Sequence, residues 1–109
     1  MKMKTKFENL EQMIESNFND ELFEKKAYDV SSQINNADDF IYLANMVRWA
    51  EFDDEDKGLE IAGNIIDRAI ELSVKQKDKE KLEEIVFELE AGLEMDERAN
   101  EVKSIIENM

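Results

Sequence analysis

Apolar residues recur three and four positions apart along the whole chain, the spacing that places side chains on one face of an α-helix. The first such segment begins at Phe7 and continues through Leu10, Met13 and Ile14. No segment alternates apolar and polar residues for long enough to predict a β-strand. The pattern therefore predicts an all-α protein.

Polar and glycine residues interrupt this pattern and predict six helices. A turn is predicted at 16–20 between helices one and two, and Asn35-Asn36 ends helix two. The later helices are predicted at about 38–51, 55–75, 79–91 and 96–108. Acidic residues in the first turns favour these starts, because the N-terminal end of a helix carries partial positive charge. Gly92 is expected to loosen the end of helix five.

The three helix pairs carry the same apolar positions. In the first helices these are Leu10, Met13 and Ile14, then Leu43, Met46 and Val47, then Leu82, Ile85 and Val86. In the second helices they are Ala27, Val30 and Ile34, then Ala62, Ile65 and Ala69, then Ala99, Val102 and Ile106. The recurring small alanine predicts that two helix backbones approach closely there.

At these positions the chain resembles the tetratricopeptide-like α-solenoids over essentially its whole length, as one domain, 1–109, of repeats 3–36, 37–76 and 77–109. The three leucines and Ala44 fit that family's pattern, whereas its second-helix aromatic and small residues are displaced and its proline is absent. The resemblance implies a short right-handed solenoid of six antiparallel helices that binds a protein or peptide along its first helices. An irregular helical bundle is the alternative fold.

The amino-acid composition limits the kinds of site and partner that the chain can have. The 109 residues include no cysteine, histidine or proline, and 28 acidic against 14 basic residues give a formal net charge of −14. The chain therefore has no disulfide, no cysteine-ligated metal site and no histidine base. Nucleic acid and acidic partners would be repelled, so a neutral or basic partner is expected. The hydrophobic fraction of 42% is that of a folded domain.

A calcium loop at 53–64 fails the spacing test. With Gly58 at the loop's sixth position, Lys57 and Asn64 occupy the fifth and twelfth positions, where oxygen ligands are needed and the twelfth should be a glutamate. An adventitious divalent site is the most that the acidic cluster suggests, and helix capping is the preferred interpretation. No nucleophile with a base and no glycine-rich phosphate loop is present. We expect no enzyme activity, no resident metal and no cofactor.

Helix three carries the candidate partner-binding residues Tyr42, Asn45, Arg48 and Trp49. Tyrosine, tryptophan and arginine are the residues that most often anchor interfaces. The two aromatic rings are equally typical of a helix core, so both interpretations stay open for Tyr42 and Trp49. Arg48 is predicted to be an exposed polar contact.

An acidic surface is the basis of a second functional class. The negative charge is concentrated in the C-terminal two thirds of the chain, and its candidate residues are Asp53, Asp54, Glu55, Asp56, Glu83, Glu90 and Glu94. Such a surface suits an inhibitor, an immunity-type protein or a nucleic-acid mimic that occludes a basic site. Solubility alone is the alternative explanation. A structural homo-oligomer that uses an exposed end repeat is a third class.

The N-terminal residues give no sign of a targeting segment. Lysines alternate through Met1–Lys6, and Phe7 is followed by Glu8 rather than by an apolar run. A cytoplasmic protein without a membrane segment is therefore expected, as a monomer or weak homodimer.

Overall fold

The computed structural model describes residues 2–15 and 19–109, with side chains for 7–14 and 19–109. Within these ranges there are six α-helices and no strand, which confirms the all-α prediction. The helices are α1 (Lys2–Glu15), α2 (Asp20–Ser31), α3 (Ala37–Arg48), α4 (Glu55–Lys75), α5 (Lys79–Phe87) and α6 (Asp96–Glu107), with a π-helical turn at Glu88–Gly92. Residues 16–18 of the predicted first turn lie outside the described residues.

Side-chain caps fix the starts of four helices. At each, the side-chain oxygen accepts a hydrogen bond of 2.9–3.1 Å from a backbone N–H two or three residues further on. The caps are Asn19, Asn36, Asp54 and Asp78. The sequence places helix starts well because these polar side chains act within one turn of the backbone.

The end of α3 differs from the prediction. The helix ends at Arg48 rather than near Glu51. The Ala50 N–H turns to the Val47 carbonyl at 3.3 Å, and the chain then places Phe52 in the core with 7% of its surface exposed. Burial of the Phe52 ring therefore ends the helix earlier than the helical pattern suggests.

Sequence-adjacent helices form the main contacts, most extensively α3 with α4, then α5 with α6, α4 with α5 and α1 with α2. Polar contacts join neighbouring pairs. Asn64 of α4 donates to the Tyr28 hydroxyl of α2 at 3.0 Å, and Arg98 of α6 binds Asp67 of α4 at 3.0 Å. The Arg98 guanidinium lies over Gly63, where a Cβ would come within 2.7 Å of it. Gly63 thus provides the space for the α4–α6 contact.

The positions shared by the three helix pairs form the core. The three first-helix leucines and the three second-helix alanines are fully buried, and Val30, Ile65 and Val102 are at most 2% exposed. Met13, Ile14, Met46 and Ile106 are half-buried. The side chains that define the repeat in the sequence are therefore also the ones that hold the helices together.

The longest helix, α4, has 21 residues. No helix in the described part of the chain combines the length and the apolar character needed to cross a membrane.

Candidate functional site

The four residues predicted on helix three lie together on α3, and we call them the α3 face: Tyr42, Asn45, Arg48 and Trp49. Tyr42 is 49% exposed and Trp49, the C-cap residue, is 54% exposed. Neither ring belongs to the core, so the core interpretation is wrong for both. Asn45 and Arg48 are half-buried.

Tyr42 is held from the side of α1. Its ring meets Phe7 edge to face, with centroids 4.8 Å apart and an interplanar angle of 61°. Phe7 itself is buried, at 3% exposure. One side of the Tyr42 ring is therefore fixed by packing, while about half of its surface stays accessible.

Trp49 and Arg48 are held from the side of α5. The Trp49 indole N–H donates to the Gly92 carbonyl at 2.8 Å, and Arg48 Nε donates to the Leu93 carbonyl at 3.0 Å. The Arg48 guanidinium also lies 4.4 Å from the centroid of the Trp49 ring, within the range of a cation–π contact. Arg48 is thus half-buried and has internal partners, whereas the sequence predicts an exposed polar contact.

Asn45 completes this set of contacts. Its side-chain amide donates to the Ile41 carbonyl at 3.0 Å and to Glu88 Oε1 at 3.2 Å. A Cβ at Gly92 would lie 3.0 Å from Asn45 Oδ1, so a larger residue there would push against α3. The π-helical turn and the α3 face are therefore in direct contact.

The π-helical turn explains why these hydrogen bonds are needed. The Leu93 N–H bonds to the Glu88 carbonyl and the Met95 N–H to the Leu89 carbonyl, both at 2.7 Å, and Glu94 has a φ of 56°. Carbonyls at a helix end lack partners within the helix, and the side chains of α3 supply two of them. Gly92 was the single sequence signal of this irregularity, and nothing in the sequence showed which helix would bind it.

A cleft of about 240 Å³ opens beside Trp49. It is lined by Arg48, Trp49, Ala50, Glu55 and Glu94. The fold therefore brings residues of the predicted acidic surface next to the α3 face, which the sequence treated as two separate features.

The other residues of the predicted acidic surface differ in whether their carboxylates have partners within the protein. Asp53–Asp56 are all exposed, and Asp54 is the N-cap of α4. Glu90 binds Lys103 at 2.7 Å, so its charge is neutralised locally. Glu83 is exposed and has no ion-pair partner among the described side chains.

Basic side chains are used to join helices. The hydrogen bond that the Lys81 ammonium donates to Asp38, followed by the one it donates to Glu84, raises the pKa of Lys81 above its ordinary value. The pKa of Lys57 is raised by Glu24, and that of Arg98 by Asp67. Because these three cations are engaged in ion pairs, the charge offered to a partner is mainly negative.

No group of three or more acidic side chains in the described part of the chain is arranged to hold a metal ion. The chain matches no protein-family model, and no curated protein or solved structure is significantly similar to it.

Proposed function

We propose that this protein is a non-catalytic, cytoplasmic module of tetratricopeptide-like type that binds a protein or peptide through its α3 face. The partner is neutral or basic, because a net charge of −14 repels acidic chains. Tyr42 and Trp49 contact the partner, and Asn45 and Arg48 hold the surface in shape.

The solenoid within this proposal is supported by the contacts between helix pairs. Stacked hairpins place their first helices side by side and their second helices side by side. Phe7–Tyr42 joins α1 to α3, and Asn45–Glu88 joins α3 to the end of α5. The α2–α4 and α4–α6 contacts described above form the matching series for the second helices.

The observation that carries the functional proposal is the exposure of Tyr42 and Trp49 at 49% and 54% on one helix face. Large aromatic rings that are accessible yet fixed by neighbours lose little conformational entropy on binding, which makes them effective anchors. Two such rings on the middle hairpin, flanked by α1 and α5, suit an extended segment lying across α3.

The test is affinity capture from the lysate of the source cells, with wild type beside Tyr42→Ser. We expect a partner that wild type captures at both low and high salt and that Tyr42→Ser loses. Apolar contacts survive salt, whereas exposed ion pairs are screened.

Val74→Ser is the matched control, since Val74 is 38% exposed on α4, a second helix. This variant should capture the partner as wild type does, and thermal melting should show that both variants remain folded. A partner retained by Tyr42→Ser would contradict the proposal.

The second candidate function is an acidic inhibitor or nucleic-acid mimic that acts by charge complementarity. The four consecutive exposed carboxylates at Asp53–Asp56 favour it, because they lie in one loop and α4 start. Glu83, Glu90 and Glu94 would extend the acidic surface.

This candidate predicts the opposite salt response. Neutralising Asp53, Glu55 and Asp56 together, with the cap Asp54 left in place, should remove the partner while Tyr42→Ser keeps it. Binding should also fall steeply between low and high salt.

A further inference from the structure

The first helix pair has an open apolar groove at the N-terminal end of the molecule. The groove lies between α1 and α2 and has a volume of about 880 Å³. Its lining residues are Met13, Leu22, Lys25, Lys26, Tyr28 and Asp29. Leu22 is 60% exposed at this groove.

The residues of this groove occupy repeat positions that elsewhere contact a preceding helix pair. Counted from the shared alanine, Lys26 matches Arg98 and Asp29 matches Asn64. Arg98 and Asn64 both bind the helix pair before their own, at Asp67 and Tyr28.

Leu22 also occupies a repeat position whose counterpart contacts the preceding helix pair. It matches Lys57, whose ammonium binds Glu24 of the preceding pair at 3.1 Å. The groove is therefore the surface on which a preceding hairpin would pack, and no hairpin of the described chain covers it.

The C-terminal end exposes the complementary surface. Phe87, 65% exposed, matches Arg48, which binds the Leu93 carbonyl of the helix pair after its own. Beside α5 and α6 lies a second cleft of about 410 Å³, lined by Glu83, Val86, Lys103, Ile106 and Glu107. This end thus offers apolar side chains where a following hairpin would pack.

The charges at the two ends are of opposite sign. Lys25 and Lys26 border the N-terminal groove together with Asp29, whereas Glu83 and Glu107 border the C-terminal cleft together with Lys103, so the excess charge is positive at the groove and negative at the cleft. Among the described side chains, Lys25, Glu83 and Glu107 have no ion-pair partner. Opposed charges around apolar patches select one end for the other and disfavour like ends.

We propose that a second copy of this chain occupies the groove, with the α5–α6 end of one copy docked head to tail on the α1–α2 end of the next. The contact repeats the packing that already joins the helix pairs within the chain. It leaves the α3 face free, so it goes beyond the proposed function and does not depend on the partner. The net charge of −14 per copy opposes association, which is therefore weak and strengthened when salt screens the repulsion.

The test is sedimentation equilibrium in about 0.3 M salt over chain concentrations from about 10 µM to about 1 mM. The average mass of wild type should rise with concentration. Leu22→Asp and Phe87→Asp, at opposite ends, should each raise the dissociation constant at least about tenfold.

An equimolar mixture of these two variants identifies the geometry. Leu22→Asp keeps an intact C-terminal end, and Phe87→Asp keeps an intact N-terminal groove. These two intact ends should dock to form a dimer that does not grow further. A Phe87→Asp variant that associates as wild type does would overturn the proposal, since two N-terminal grooves would then be pairing with each other.

A wild type that stays monomeric to the highest concentration would also overturn it, and would leave the groove to another occupant such as a preceding hairpin of a longer chain. Tyr42→Ser, on the α3 face, and Val74→Asp should both associate as wild type does. Lys25→Glu, at an exposed position, repeats the groove test if Leu22→Asp fails to fold.

Discussion

The two junctions between helix pairs share an apolar core and polar side-chain contacts, but the first adds aromatic ring pairs and the second adds hydrogen bonds to backbone carbonyls. The first junction, between α1–α2 and α3–α4, has two aromatic ring pairs beside its polar contacts Asn64–Tyr28 and Lys57–Glu24. Phe7 meets Tyr42 with centroids 4.8 Å apart, and Phe23 meets Phe52 at 5.5 Å, both edge to face. Edge-to-face ring pairs add about 0.5–1.5 kcal/mol to the burial of their surface.

The second junction, between α3–α4 and α5–α6, is closed by polar contacts. Arg48 and Trp49 bind backbone carbonyls of the turn between α5 and α6, and Lys81 binds Asp38. The contacts of Arg48 and Trp49 follow from the backbone irregularity at 88–94, which leaves carbonyls to be paired from outside.

The difference shows that one repeat pattern can be reinforced by ring packing at one step and by hydrogen bonds to backbone carbonyls at the next. Loss of an apolar contact in the first junction should weaken the whole fold. Loss of a polar contact in the second should mainly release the last helix pair, because its partners are local carbonyls.

The largest effect is expected at the first junction from Phe23→Ala. Phe23 is fully buried, and truncation of a buried phenylalanine destabilises a protein by about 3–5 kcal/mol. Urea unfolding should show this loss in the free energy of unfolding. The control, Phe87→Ala, removes a ring that is 65% exposed and should change it by less than about 0.5 kcal/mol. A loss below about 1 kcal/mol for Phe23→Ala would show that the ring pair does not close this junction.

At the second junction, Arg48→Met should reduce stability by about 1.5–3 kcal/mol, the range for a hydrogen bond to a charged group. The substitution keeps the aliphatic stem but leaves the Leu93 carbonyl unpaired. Amide hydrogen exchange should accelerate in 88–95 more than in α1 or α2.

Arg68→Met is the matched control for this prediction, since the Arg68 guanidinium lies over the Phe40 ring at 5.7 Å. It should leave exchange in 88–95 unchanged. Equal acceleration in both variants would mean that the carbonyl contact does not hold the turn.

Glycine should stabilise the turn between α4 and α5 and the turn between α5 and α6. Lys77 and Glu94 have φ values of 55° and 56°, in the left-handed region that favours glycine. Lys77→Gly and Glu94→Gly should therefore each raise stability by about 0.5–1 kcal/mol in urea unfolding. Gln76→Gly, at a φ of −83°, is the control and should lower it. A destabilising Lys77→Gly would refute the assigned strain.

Much of the fold could be predicted from the sequence because its signals are local. The acidic cluster that contains Asp54 marks the start of α4 because Asp54 caps the backbone within one turn, and Asn36, predicted to end helix two, also caps α3. Leu43 and Ala62 were identified as repeat positions because a 3.6-residue period exposes which face is buried, and both are fully buried.

The candidate site was harder to predict because its geometry is set by distant residues. Trp49 is paired with Gly92, 43 positions away, and no local pattern links them. The exposure of Tyr42 likewise depends on where Phe7 packs. The sequence therefore identified the residues of the α3 face. It did not show that Arg48 and Trp49 would bind the turn between α5 and α6.

The smallest expected effect is the loss of stability at the second junction when Lys81 is deprotonated at high pH. The hydrogen bonds that the Lys81 ammonium donates to Asp38 and Glu84 raise the pKa of Lys81 above its ordinary value of 10.5, so folding favours the charged ammonium. Its stabilising contribution is fully present below the unfolded-state pKa and is lost as pH rises through the higher folded-state pKa. The melting temperature of Lys81→Met should therefore lie below that of wild type by a constant amount between about pH 7 and 9, and the two should converge above about pH 10.5. Titration of other groups affects both chains alike and cancels in this difference. A gap that widens with pH would show that the ion pair does not stabilise the second junction.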